Sequence, residues 1–468
     1  MKRTIAALAA LQAFSSLAAA LTVGRPFADG AVLQRDRPVP VWGTAAPGAE
    51  VKVLFGGQEK SAVAGTNGEW CVTLDPMPAS SEGRTLTVTS SNQTIEQSNN
   101  QTILHDLLVG EVWLCSGQSN MEMSFAYGRT RYGDGIGAMV AQVTDKPLVR
   151  YMKSPGNGGW NRLTPKFLTS GWRSAIPVHY ALELHDKLGI PVGVIVAAVG
   201  GSNIDSWNPV NGAKANLHIA RIVPLGPYAL RGALWYQGET NVKEVEAYPV
   251  KLGQLHAAWK EQFRDPSLPL YLVQLAPYRY AKPEQLEALP AFMENQAKYA
   301  AEHPDAAVTV VNDIGNFDDI HPNNKWLVAK RLALHAFKRE YGFRNVEDDS
   351  PVLESATIAA TNRVRLVFNH AKSLYVYRTD SRFGLFAEFE LAGEDGVWKK
   401  ADIVNFPNLD WTKHGVLTNN VIELVAKEVE KPVRVRHAYV APFTGVLYNQ
   451  VNLPCGPFCA NISSLEGE

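Results

Sequence analysis

Between Gly110 and Gly342 the chain alternates short apolar runs with segments of helical period, and no pattern constrains the fold more. "EVWLCSG", "IPVGVIVAAVGG", "LRGALWYQGETN", "LPLYLVQLAP" and "AAVTVVNDIG" read as strands rich in Val, Ile, Leu and aromatic residues. Between and after them, "SAIPVHYALELHDKLG", "AYPVKLGQLHAAWKEQF", "QLEALPAFMENQAKYAAEH" and "NNKWLVAKRLALHAFKREYG" place apolar residues at roughly helical spacing, and Gly189 and Gly342 act as stops. Strands that alternate with helices form a parallel sheet with helices on both faces, because a crossover helix must bury its apolar stripe against the sheet.

The flanks have a different period. Residues 21–108 carry short alternating strands between Pro and Gly turns, with an Asn-Gly hairpin signal in "GTNGEWCVTL". The run "TSSNQTIEQSNNQT" reads as a hairpin tip. Beyond about Asp348, strand patterns return in "RVRLVFNH", "FAEFELAG" and "VRVRHAYV". The expected organisation is an N-terminal β module (21–108), an α/β catalytic domain (109–345) and a C-terminal β region (346–468). Residues 1–20 stand outside it: Lys2 and Arg3, an apolar run, then Ala18-Ala19-Ala20 are the grammar of a secretory signal peptide. They predict a secreted or periplasmic protein with no membrane insertion after cleavage.

Export would place the four cysteines in an oxidising compartment. Cys455 and Cys459 are close enough to pair, while Cys71 and Cys115 could stay free; four unpaired core thiols are an equal alternative. Asn92, Asn100 and Asn461 begin Asn-x-Ser/Thr sequons. A formal net charge of −1 over 468 residues gives no case for nucleic acid or an anionic membrane. Neither CxxC nor HExxH occurs, so no metal or other cofactor is expected.

In an open α/β sheet, functional groups gather at the C-terminal ends of the strands. Four such ends carry unusual loops: Gly117-Gln118-Ser119-Asn120, Gly200-Gly201-Ser202-Asn203, Gln237-Gly238-Glu239-Thr240-Asn241 and Asp318-Asp319-Ile320-His321-Pro322. Together they offer a hydroxyl, backbone and side-chain donors, an imidazole and carboxylates. A serine becomes a nucleophile when a base takes its proton during attack. Histidine does this near neutral pH when a carboxylate fixes its tautomer. The resulting oxyanion needs preorganised donors, each worth roughly 3 kcal/mol. His321 and Asp318 share one short loop, so the chain itself limits their separation. Pro322 then falls in the first turn of the following helix, where a missing N–H costs nothing.

"GEVWLCSGQSNM", "GGSNIDSW", "GALWYQGETN" and "DIHPNNK" resemble the sialate O-acetylesterase family, within the SGNH/GDSL hydrolase superfamily. "FADGAVLQRDRPVPVWGTAAPG" and "LYNQVNLPCGPF" extend the resemblance over nearly the whole mature chain. It implies an SGNH-type three-layer αβα domain and an acetylesterase acting on O-acetylated carbohydrate. It also implies Ser119 as nucleophile, His321 as base and Asp318 as supporting acid. The Ser119 and Gly201 N–H groups and the Gln237 side chain would form the oxyanion hole. Asn120, Gly200 and Glu239 become supporting or substrate-contacting residues. An acetylxylan or other polysaccharide acetylesterase remains an alternative, as does a non-catalytic carbohydrate-binding protein on the same scaffold.

Overall fold

The computed structural model describes residues 20–91, 100–125, 145–156, 158–377, 386–405 and 415–464. Most of the expected signal peptide, the tip of the 89–102 hairpin and much of the segment between Met123 and Trp172 lie outside these residues.

One strand organises the molecule. Gln101–Gly117 is 17 residues long, and its exposure changes character halfway. From Gln101 to Asp106, exposed positions alternate with half-buried ones; from Leu107 to Gly117 every residue is buried. The first part pairs antiparallel with Ser80–Ser90 in the N-terminal module, where one sheet face meets water. The second part pairs parallel with Val192–Ala198 on one side and Gly232–Tyr236 on the other, where helices cover both faces. The junction expected near residue 108 therefore falls inside a continuous strand. Glu111, buried just past it, is held by Arg231 at 2.8 Å and by Arg35. Burial works against its charge, but these arginines outweigh burial and hold its carboxyl below the usual range.

The catalytic sheet runs in the order Ala306–Thr309, Leu270–Val273, Gly232–Tyr236, Gln101–Gly117, Val192–Ala198, Lys146–Lys153, Asn161–Leu163. All its pairings are parallel except the last, an antiparallel edge. Ala175–Leu188, Ala247–Gln262, Pro283–Glu302 and Lys325–His335 are the covering helices. Gly189 ends the first of these in the left-handed region at φ 69°. The C-terminal region is a seven-stranded antiparallel sheet between Val352 and Asn461, with a three-stranded sheet beside it. The expected α/β three-layer architecture with flanking β regions is the one observed. The four thiols are free, so the small Cys455–Cys459 loop does not form. Cys455 is buried with its Sγ 3.4 Å from the Gly456 carbonyl, while Cys459 lies beside Arg434 at 3.3 Å.

Candidate active site

Register brings three loops to one edge. Gly117 lies level with Ala198 on one neighbour and with Tyr236 on the other. The chain order reverses around this central strand, which opens a crevice above the strand ends. Gly117 is obligatory here: its φ is 135°, and a Cβ would lie 2.1 Å from the Tyr236 carbonyl oxygen. The Gln118 N–H then donates to that same carbonyl at 2.9 Å, and the chain turns into the short helix Ser119–Glu122. Ser119 thus heads a helical turn, and its N–H has no intrahelical partner.

The Ser119 Oγ is 2.9 Å from His321 Nε2. His321 arrives from the far edge of the sheet, on the loop that follows Ala306–Thr309. The helix after it begins at Lys325, with the Asn324 side chain accepting from the Leu327 N–H at 3.1 Å. Pro322 therefore lies in the loop and not in the first helical turn, because Asn324 supplies the stronger cap.

The carboxylate beside His321 belongs to Asp319, not to the expected Asp318. Asp319 Oδ1 is 3.4 Å from His321 Nδ1 and also accepts the His321 backbone N–H at 3.1 Å. This two-residue side-chain turn folds the Asp319 carboxyl beneath the ring. Asp318 is turned away: its N–H donates to Asn316 Oδ1 at 3.1 Å, and its carboxylate lies 3.5 Å from Arg279. The Asp318 side chain is 64% exposed and that of Asp319 is 6% exposed, so a charge on Asp319 is screened less by water than one on Asp318.

Gln237 is not presented as a donor either. It is fully buried, and its amide nitrogen lies 2.7–3.2 Å from Gln118 Oε1, Ser202 O, Thr240 Oγ1 and Asn241 Oδ1. Its two protons are spent bracing three loops behind the serine. The glycine pair is placed differently. A Cβ on Gly200 would sit 3.6 Å from Ser119 Cβ, so Gly200 lies against the serine, and the exposed Gly201 has open space around its Cβ position at φ 71°.

Beneath the serine lies a buried polar network. The Asn120 amide donates to the Glu239 carboxyl and to the Ile320 carbonyl, the latter at 3.1 Å. Its carbonyl oxygen accepts from Lys325 Nζ. Asn120 thereby ties the residue after Ser119 to the residue before His321. Burial pushes the Glu239 carboxyl up, against the Asn120 hydrogen bond and the Lys325 charge. Burial likewise lowers Lys325 to about 7, although Glu239 and Asp319 oppose it. Lys325 was not among the residues expected from sequence; its only signal is its place four residues past His321. Lys325→Met is expected to leave the Asn120 carbonyl unsatisfied, at a cost of about 1–3 kcal/mol. The loosened splice should lower kcat by about tenfold to a hundredfold. A thermal melt and p-nitrophenyl acetate kinetics check both; unchanged values in both would remove Lys325 from the site's support.

The arrangement can transfer an acyl group: a hydroxyl on an imidazole, a carboxylate behind it, and the backbone of a helix start and a two-glycine loop beside the serine. Residues 109–336 match the family model described as carbohydrate esterase, sialic acid-specific acetylesterase. The chain is 28% identical over 397 residues to a Homo sapiens protein named sialate O-acetylesterase, covering 73% of this chain and 75% of that one. It is 25% identical over 423 residues to the Rattus norvegicus protein of the same name, covering 73% and 77%. The crystal structure of a carbohydrate acetylesterase from Xanthomonas citri superposes with a TM-score of 0.79 at 30% identity, covering 94% of this chain and 99% of that one.

Proposed function

Because the chain belongs to the sialic acid-specific acetylesterase family of carbohydrate esterases and is a carbohydrate O-acetylesterase, we propose that Ser119, His321 and Asp319 carry its catalysis. The observation behind this reading is the 2.9 Å contact between Ser119 Oγ and His321 Nε2, made by two residues 202 positions apart. Neutral His321 accepts the hydroxyl proton at Nε2 as Ser119 attacks the acetyl carbonyl, and Asp319 holds the Nδ1 proton in place. The negative charge that forms on the carbonyl oxygen meets the N–H groups of Ser119 and Gly201. His321 then returns the proton to the departing sugar oxygen. Water, activated by the same imidazole, attacks the acetyl-serine and releases acetate.

The substrate in this reading is O-acetylated sialic acid, supported by the family description and by the names of the relatives. Export is part of it, supported by the charged start, the apolar run and the alanines of the first twenty residues. Among the described residues, no helix is long and apolar enough to cross a membrane. Acetate release from an O-acetylated sialoglycan is expected to exceed that from acetylated xylan by at least about tenfold in kcat/KM, a discrimination of about 1.4 kcal/mol. The reverse order would move the substrate to plant polysaccharide, and the nucleophile assignment would stand.

A further inference from the structure

Glu122 lies three residues beyond Ser119 on the same helical turn, so both side chains share one face. Its backbone is pinned from outside. Its carbonyl accepts from the indole of Trp172 at 2.9 Å and from the Ser174 hydroxyl at 3.0 Å. Its carboxylate reaches across the crevice. Oε2 accepts the Gly200 backbone N–H at 2.7 Å, and Oε1 takes Lys153 Nζ at 3.1 Å. Lys153 ends the strand that flanks Val192–Ala198, which delivers its ammonium to the same edge of the sheet. Both carboxylate oxygens are therefore engaged by protein donors.

Gly200 and Gly201 need an external hold. Both lie past the end of Val192–Ala198, Gly201 has nothing near its Cβ position, and a two-glycine segment has many backbone conformations to lose. A donor that wanders gives little stabilisation to an oxyanion, because the benefit depends on orientation fixed before reaction. The Glu122–Gly200 hydrogen bond fixes the peptide immediately before the Gly201 N–H.

A bare carboxylate would oppose the charge that forms in the same site. Paired with Lys153, the clamp is neutral as a unit. The side chains are only 21% and 36% exposed, so water screens the remaining field incompletely. The charge of Lys153 thus matters to the transition state and little to the neutral ground-state ester.

We propose that Glu122, with Lys153 as its counter-ion, is a positioning residue for the oxyanion loop: it grips the Gly200 N–H so that the Gly201 N–H stays aimed beside Ser119. The inference rests on the Ser119–Gly201 reading of the site. It assigns a function to Glu122, which follows Gly-Gln-Ser-Asn-Met in the sequence.

The test is steady-state hydrolysis of p-nitrophenyl acetate by the full chain, with kcat and KM separated and a thermal midpoint for each variant. Glu122→Ala is expected to lower kcat by about a hundredfold, the scale of one lost oxyanion donor, with KM within about threefold. Glu122→Gln keeps an oxygen for the Gly200 N–H and should stay within about tenfold of the parent. Lys153→Met strands the carboxylate and should lower kcat by about tenfold. Lys153→Arg should restore most of that loss. Adding Glu122→Gln to Lys153→Met should raise kcat above Lys153→Met alone, since the stranded charge is gone. A merely structural clamp predicts the opposite, two losses that add. If Glu122→Ala does not fold, the Gln and Met variants, which conserve shape, decide between these outcomes. A Glu122→Ala enzyme with kcat within about threefold of the parent, or with only KM raised, overturns the inference. Ser119→Ala runs alongside: if it stays active, the site reading itself has failed, whereas an inactive Ser119→Ala beside a fully active Glu122→Ala sinks the clamp alone.

Discussion

Ser119→Ala is expected to lower kcat by about six decades and to leave the fold intact. The loss is severe because the oxygen that forms the acetyl-enzyme bond, and that lies 2.9 Å from His321 Nε2, is gone. Thr240, another hydroxyl at this edge, is turned inward, within reach of the Ser202 carbonyl at 2.9 Å. The fold survives because the substitution removes one half-buried atom and adds none. The Ser119 Cβ keeps its place against Gly200, and the helix start keeps its backbone bonds, such as Met123 N–H to Ser119 O at 2.7 Å. The melting midpoint should therefore stay near the parent's, within the usual range of a benign surface change, about 0.5 kcal/mol. A fluorophosphonate probe should label the parent and fail to label the variant. Turnover within tenfold of the parent, in a folded variant, would end the nucleophile assignment.

How far the sequence reveals such a site depends on what each residue needs. Gly117, Ser119 and Gly200-Gly201 are legible because a strand that stops at a glycine and a serine leaves a local signature. His321 is legible because it follows a strand in the same way. Glu122, Lys153 and Lys325 are not, since each acts across the sheet, and their partners follow from strand order, which no local pattern encodes. Glu122 meets Gly200 only because Gln101–Gly117 and Val192–Ala198 are neighbours in register. Gln237 illustrates the reverse. Its type suits an oxyanion donor, yet Tyr248 and Gln118 hold it from behind, at 2.9 and 3.1 Å. The domain junction was obscured for a related reason: the apolar run from Leu107 onward looks like a new strand, and its union with the alternating segment before it appears only as pairing on both halves of one strand.

Asp319→Asn is expected to cut kcat by about three to four decades, and Asp318→Asn by less than about threefold. Both carboxylates lie within three residues of the base, so proximity in sequence does not separate them; the turn does. The His321 N–H closes on Asp319 Oδ1, which draws that carboxyl under the imidazole and buries it. Its 3.4 Å distance from Nδ1 is long for a finished hydrogen bond, and such contacts tighten when substrate fills a site. An asparagine there offers Nδ1 an amide donor as readily as an acceptor, so the ring loses the tautomer that leaves Nε2 free to accept the serine proton. Asp318 has no such leverage, since its charge points into water beside Arg279 and is screened there. Glu239 offers a third carboxyl, but its bond runs to the Asn120 amide and burial drives it toward the neutral acid. Glu239→Gln should consequently act through Asn120, with a loss between the other two. The measurement is kcat on p-nitrophenyl acetate across pH for the three variants, each first shown to melt cooperatively. A severe loss in Asp318→Asn with a mild one in Asp319→Asn would return the acid to the exposed residue. It would also require the 318–321 loop to refold when substrate binds.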